Sequence, residues 1–138
     1  FLNLRNVVIR NNTAINGGAL WFESTDKNSV IVTITNCTFR HNHAINGVHQ
    51  GGYGGAIYLY FLANLTIQHT HFHANTAAFR GGAVYQDYGA VLECNECTFT
   101  NNSAKYGGAV FSEDRNSQTQ GTFPLITHSV FQDNNAEI

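Results

Sequence analysis

The chain has 138 residues, of which 43% are apolar and only 12% charged, so it is at most one domain, with a surface made polar by Asn, Thr, Ser, Gln and His. A formal net charge of −2, with Lys and Arg scattered singly along the sequence, offers no basic stripe and argues against nucleic acid as a partner. The longest apolar stretch, Ala56 to Ala63, is far too short for a transmembrane segment.

In chain order the sequence repeats one phrase five times. The first copy starts at Ile9 and passes through Asn12 and Ala14 to Gly17-Gly18-Ala19-Leu20-Trp21. The second has Phe39, Asn42, Ala44 and Gly54-Gly55-Ala56-Ile57-Tyr58, and the third has Phe72, Asn75, Ala77 and Gly81-Gly82-Ala83-Val84-Tyr85. The fourth reads Phe99, Asn102, Ala104 and Gly107-Gly108-Ala109-Val110-Phe111, and a fifth begins with Phe131, Asn134 and Ala136. The first and last copies are incomplete. Residues 1–138 therefore read as one segment excised from a longer solenoid, with coils of the same polypeptide as its neighbours. Successive copies are offset by 30, 33, 27 and 32 residues. The length differences fall at Glu23 to Ser29, Gly47 to Tyr53 and Ser112 to Thr122, where loops absorb insertions at small entropic cost.

Within a copy the apolar residues alternate. Val32, Ile34, Cys37 and Phe39 set the pattern, and Leu65, Ile67, Thr70, Phe72 and then Leu92, Cys94, Cys97, Phe99 repeat it across a bend. Val, Ile, Thr, Phe and Tyr fill these stretches, which is strand composition. Each copy should supply about three strands: one around the Leu-x-Ile pair, one at the Phe and one after Gly-Gly-Ala. No two-residue hairpin turn follows any of them, so each strand must pair in parallel with its equivalent one copy on, about 4.8 Å away. The predicted fold is all-β: a single-stranded, right-handed parallel β-helix of the pectin-lyase-like kind, with about four to five coils and no helix of consequence.

Stacked coils turn each position into a column. The Phe column (Phe39, Phe72, Phe99, Phe131, with Ile9 below) is expected inside. The Asn column (Asn12, Asn42, Asn75, Asn102, Asn134) is expected at a turn, where Asn tolerates a left-handed backbone and its amide both donates and accepts along the stack. The glycine pairs (Gly17-Gly18, Gly54-Gly55, Gly81-Gly82, Gly107-Gly108) mark a second corner, where a Cβ would obstruct the turn or the next coil. Cys37 and Cys97 share a column with Val7, Thr70 and Ser129, and Cys94 one with Leu4, Ile34, Ile67 and Ile126, which reads as small buried core. A Cys94 to Cys97 bridge in an oxidising compartment is the alternative.

Iterated Gly-Gly-Ala-aliphatic paired with Phe-x-x-Asn resembles the repeats of the chlamydial polymorphic outer membrane proteins. Ile9 in place of a Phe and the Gly47 to Tyr53 insertion depart from the pattern. The resemblance implies a surface-exposed autotransporter passenger, a β-helix at the bacterial outer membrane, acting as an adhesin toward a host-cell receptor of protein or glycan nature. It carries the motif columns over as adhesion-associated.

The competing class for such a coil is a polysaccharide lyase or hydrolase, which needs converging carboxylates. The column six residues after the first Gly reads Glu23, Tyr60, Asp87, Glu113, with Asp114 beside it, and Asp87 and Glu113 could form a pair. They lie at a loop edge with no Lys or Arg column facing them, and the reading favoured is of solvated loop acids and no catalytic residue. His69, Glu96 and His128 share a column and could in principle hold zinc or copper. Coils two apart are about 9.6 Å from each other, so a solvated polar ladder with no metal or other cofactor is expected. After Gly-Gly-Ala, alternation turns Trp21, Tyr58, Tyr85 and Phe111 outward as a continuous aromatic stripe, which is either a strand-steadying ladder or a platform for sugar rings or a protein partner. Four triplets (Asn11-Asn12-Thr13, Asn36-Cys37-Thr38, Asn64-Leu65-Thr66, Asn101-Asn102-Ser103) fit N-glycosylation acceptors, two of them as by-products of the repeat.

Overall fold

A computed structural model describes residues 1–26, 30–48, 50–115 and 122–138. The first coil comprises β1 (Leu2–Arg5), β2 (Val8–Arg10), β3 (Thr13–Ala14) and β4 (Leu20–Glu23), and the second β5 (Ile31–Thr35), β6 (Thr38–Arg40), β7 (His43–Ala44) and β8 (Ile57–Tyr60). The third has β9 (Asn64–Gln68), β10 (His71–His73), β11 (Thr76–Arg80) and β12 (Val84–Gln86). The fourth has β13 (Val91–Asn95), β14 (Thr98–Thr100), β15 (Ser103–Tyr106) and β16 (Val110–Ser112), and β17 (Leu125–Thr127), β18 (Val130–Gln132) and β19 (Asn135–Ala136) follow. Every strand pairs in parallel with its equivalents, giving three five-stranded sheets and one four-stranded sheet, and no helix occurs among the described residues. The architecture is a parallel β-solenoid of about four turns.

Each full copy supplies four strands rather than three. The additional one follows the Asn (β3, β7, β11, β15, β19) and is built around Ala14, Ala44, Ala77, Ala104 and Ala136, in register with one another. Two- to five-residue strands of small and polar residues have too little apolar alternation to announce themselves.

The corners correct a second expectation. Left-handed backbone falls not on the Asn column but on the residue before it: Asn11, His41, Ala74, Asn101 and Asp133. A further left-handed corner precedes the Phe strands at Asn6, Asn36, His69, Glu96 and His128. Positive φ costs a non-glycine residue roughly 1 kcal/mol or more, and here it lets the corner N–H continue the intercoil ladder. His41 N–H donates to the His73 carbonyl at 3.1 Å, Ala74 N–H to the Thr100 carbonyl at 3.0 Å, and His69 N–H to the Asn95 carbonyl at 3.1 Å.

The Asn column is instead a buried amide ladder. Asn42, Asn75 and Asn102 are each 0% exposed. The Asn75 Nδ2 donates to the Asn102 Oδ1 at 3.0 Å and to the Phe39 carbonyl at 3.0 Å, while its Oδ1 accepts from the Asn42 Nδ2 at 3.0 Å and the Asn42 backbone N–H at 3.1 Å. Beside it the Phe column stacks face to face inside. Ring centroids lie 5.1, 4.8 and 4.7 Å apart from Phe39 through Phe72 and Phe99 to Phe131, with planes within 11°. The two glycines divide the work: Gly81 turns at φ +67, whereas a Cβ on Gly82 would come 2.0 Å from the Gly108 carbonyl oxygen of the next coil.

The cysteine column is buried core at Cys37, Thr70 and Cys97, as expected, and its polar atoms also close a bend. The Thr70 hydroxyl donates to the Gln68 carbonyl at 2.9 Å and the Ser129 hydroxyl to the Thr127 carbonyl at 2.8 Å, while the Cys37 and Cys97 thiols make the same bend-closing contact with Thr35 and Asn95. Cys94 stands in the aliphatic column of the core, as expected of its neighbours Ile67 and Ile126. All three thiols are free and buried. The Cys94 sulfur lies 2.9 Å from that of Cys97 and donates to it, holding the Cys97 thiol below the ordinary range and its own above.

Candidate functional site

The outward residues of β4, β8, β12 and β16 are in register and face away from the main core. Trp21 stacks on Tyr58 at 5.9 Å, Tyr58 on Tyr85 at 5.0 Å, and Phe111 tilts against Tyr85 at 6.0 Å. The stripe exists, but it is not the open platform that alternation suggested. Tyr58 is 5% exposed and Tyr85 0%, Phe111 is half-buried, and Trp21, at 54%, is the most open of the four.

What covers the stripe is the column immediately before the glycines: Asn16, Tyr53, Arg80 and Tyr106. The Gly47 to Tyr53 insertion does not simply leave the coil, because it returns Tyr53 to stack on Tyr85 at 5.0 Å and lean on Tyr58 at 5.8 Å. Phe79 and Tyr106 pack edge-on at 5.2 Å, and the Arg80 guanidinium lies 4.7 Å from the Phe79 ring and 5.3 Å from that of Phe111. A second apolar layer thus sits on the outside of the sheet. Aligning the copies on their glycines makes its covering column legible in the sequence, but not the direction in which the side chains lie.

At the edge of this layer Asp87 and Glu113 do come together, and two arginines that the sequence columns did not reveal meet them. Arg115 forms a salt bridge with the Asp87 Oδ2, Arg80 Nη1 donates to the Glu113 Oε2 at 2.8 Å, and the Tyr85 hydroxyl lies 2.8 Å from the Asp87 Oδ2 and 3.0 Å from the Glu113 Oε2. The Asp87 Oδ1 accepts the Tyr88 backbone N–H at 2.7 Å. Asp87 is 0% exposed, so it is not the solvated loop acid expected; it is a buried anion whose charge is matched by Arg115. Burial first, and the Asp87 carboxylate next, hold the Tyr85 hydroxyl far above the ordinary tyrosine range, so it remains a donor. Hydrogen bonding to Asp87 likewise holds the Arg115 charge in place.

The His69, Glu96, His128 column does not converge. His69 Nδ1 and a Glu96 oxygen form an exposed contact at 3.1 Å, while His128 Nδ1 turns to the Asn95 Oδ1 at 3.1 Å. No group of three or more His, Cys, Asp or Glu side chains is placed to hold a metal among the described residues. Of the glycosylation acceptors, Asn11, Asn36 and Asn101 are exposed on left-handed corners.

A family profile described as the Chlamydia polymorphic membrane protein (Chlamydia_PMP) repeat matches residues 36–60 and 96–113, which hold the Phe-x-x-Asn and Gly-Gly-Ala motifs of the second and fourth copies. The remaining copies are tied to these two by strand register. No curated protein and no solved structure matches the chain. The matched repeat is that of a membrane-associated, surface-exposed outer-membrane family.

Proposed function

We propose that this chain is a non-catalytic β-solenoid segment displayed at the cell surface, at the outer membrane of a bacterium, where it holds a host-cell receptor of protein or glycan nature. The repeat match in two coils supports the location. The observation that carries the non-catalytic reading is the state of its best acid pair. Asp87 is 0% exposed, with Arg115, Tyr85 and the Tyr88 N–H on its oxygens, and Glu113 shares a hydrogen-bonding distance to Tyr85 while paired to Arg80. A general acid or nucleophile must reach the glycosidic bond, and these carboxylates are committed to cations within the fold. The remaining recurrent positions serve coil geometry.

The test couples two measurements on the folded chain. Beads coated with it should attach to cultured epithelial cells above the level of albumin-coated beads, and a panel of plant and bacterial polysaccharides should remain undigested. Depolymerisation of any of them that disappears in Asp87→Asn or Glu113→Gln, with the fold retained, would establish the enzyme in place of the adhesin.

A further inference from the structure

Two arginines that stand 30 residues apart in the sequence are brought side by side by the coil on one face. The five strands of the second sheet, Val8–Arg10, Thr38–Arg40, His71–His73, Thr98–Thr100 and Val130–Gln132, contain two arginines, two histidines and no carboxylate. Arg10, Arg40 and His73 occupy one outward column, in register from coil to coil, and His71 stands in the column beside it. At the next corner the His41 ring meets that of His73 edge-on at 5.7 Å, and His43 follows on the adjoining sheet, where its Nδ1 is hydrogen-bonded to the Thr76 hydroxyl. Neither Arg10 nor Arg40 has an ion-pair partner among the described residues. The chain as a whole carries −2, so this face is set apart from acids such as Asp87, Glu113 and Asp114 beyond the fourth sheet.

We propose that this face binds a linear sulfated polysaccharide lying along the solenoid axis, which, on the adhesive reading above, makes such a glycan the receptor class. Two stacked arginines repel each other across about 4.8 Å, and a polyanion laid over the column relieves that repulsion while releasing its own counterions. Single-stranded nucleic acid fits less well, since it needs exposed rings on which bases stack, whereas the phenylalanines of this sheet's interior coils (Phe39, Phe72, Phe99) are turned inward at 0% exposure. Arginine donates two parallel N–H groups to two oxygens of one anionic group, and two oxygens of a tetrahedral sulfate accept them as those of a phosphate do. A trough of about 410 Å³ between Thr13, His43, Asn46 and Thr76 flanks the column and gives a pyranose chain hydroxyl partners beside its charges.

The charged groups near the column are Arg10 on β2, Arg40 on β6, His71 and His73 on β10, His41 and His43 at the adjoining corner, Asp133 at that same corner two coils above His73, and the His69 and Glu96 pair at the near corner, while β14 contributes only Thr98 and Thr100.

The experiment measures affinity for immobilised heparin at about 0.1 M salt and pH 7.5. The Arg10→Ser/Arg40→Ser double variant should bind about tenfold more weakly with an unchanged melting temperature, and its salt dependence should flatten by the two lost contacts. Arg5→Ser, a cation removed from the neighbouring sheet, should change binding little. Binding unaffected by the arginine pair, equal binding to desulfated heparin, or tighter binding to single-stranded DNA or phosphatidylserine vesicles would overturn the proposal. Cell attachment that survives in the arginine variant overturns this face but leaves the adhesive reading standing. Heparin binding without cell attachment does the reverse.

Discussion

Asn75 shows most directly what a single residue does in this fold. Its amide closes four hydrogen bonds between three coils in a site with no solvent, so no water replaces a lost partner. Truncation to Ala orphans the buried Asn42 N–H and removes the bonds to the Phe39 carbonyl and the Asn102 amide, and Asn75→Ala should cost about 3 to 5 kcal/mol in urea denaturation. Asn12 occupies the same column but is exposed, and its Nδ2 reaches the Arg10 carbonyl and the Asn42 Oδ1. Asn12→Ala should therefore cost only about 1 kcal/mol. Equal losses at the two positions would mean that the ladder is held by turn propensity and not by buried amides. The motif was plain in the sequence. The assignment of left-handed geometry to Asn itself was displaced by one residue, because the true corner varies between Asn, His, Ala and Asp while the position after it is Asn in every copy.

At the scale of an element, the glycine pair sets how closely coils approach. Gly82 has an ordinary φ, so Ala is locally tolerable there, yet the added methyl would meet the Gly108 carbonyl at 2.0 Å and the Ser103 N at 2.7 Å. Backbone atoms of a stacked coil cannot withdraw without breaking the strand pairs on either side. Gly82→Ala should lower the urea midpoint by the equivalent of about 4 kcal/mol or abolish soluble expression, and a variant with the parental midpoint would refute the coil spacing described. The Gly47 to Tyr53 insertion illustrates the opposite case. An insertion marked by sequence length as a loop leaving the coil instead carries Tyr53 back as a cover for Tyr58 and Tyr85. Length variation reports where a chain leaves the repeat, not where its side chains return.

For the whole molecule, apolar burial is divided between the coil interior and the aromatic layer outside the fourth sheet. Tyr58 and Tyr85 belong to the second, and burial first, with Asp87 contributing, raises both hydroxyls well above pH 10. A folded-state pKa raised above the unfolded value leaves stability intact below about pH 10 and erodes it above, since only the unfolded chain then releases the proton. Urea stability should accordingly fall above pH 10 by about 1.4 kcal/mol per pH unit for each of the two tyrosines, and Tyr85→Phe should remove one share of that slope. A flat profile from pH 10 to 11.5 would show that the layer opens to solvent. The same division of surfaces separates charge: the ion pairs of Arg80 with Glu113 and of Arg115 with the buried Asp87 lie beside the aromatic layer, and unpaired arginines lie on the second sheet.

Repetition by itself determined the parallel solenoid, its inward Phe column and its glycine corners, because a motif repeated at nearly constant spacing can bury its apolar alternation only against its own copies. The surroundings of the outward residues were decided by the tertiary structure alone. Whether the aromatic stripe is open depends on Tyr53, which an insertion returns to the coil, and on Arg80, at the end of a strand that apolar alternation does not announce. Whether Asp87 is an acid or a structural anion depends on Arg115, 28 residues away. Whether isolated arginines form a surface depends on register, since Arg10 and Arg40 are 30 positions apart in sequence and adjacent in the sheet. Periodicity specifies which positions stack, but the faces created by stacking are shared among coils whose individual residues are free to vary.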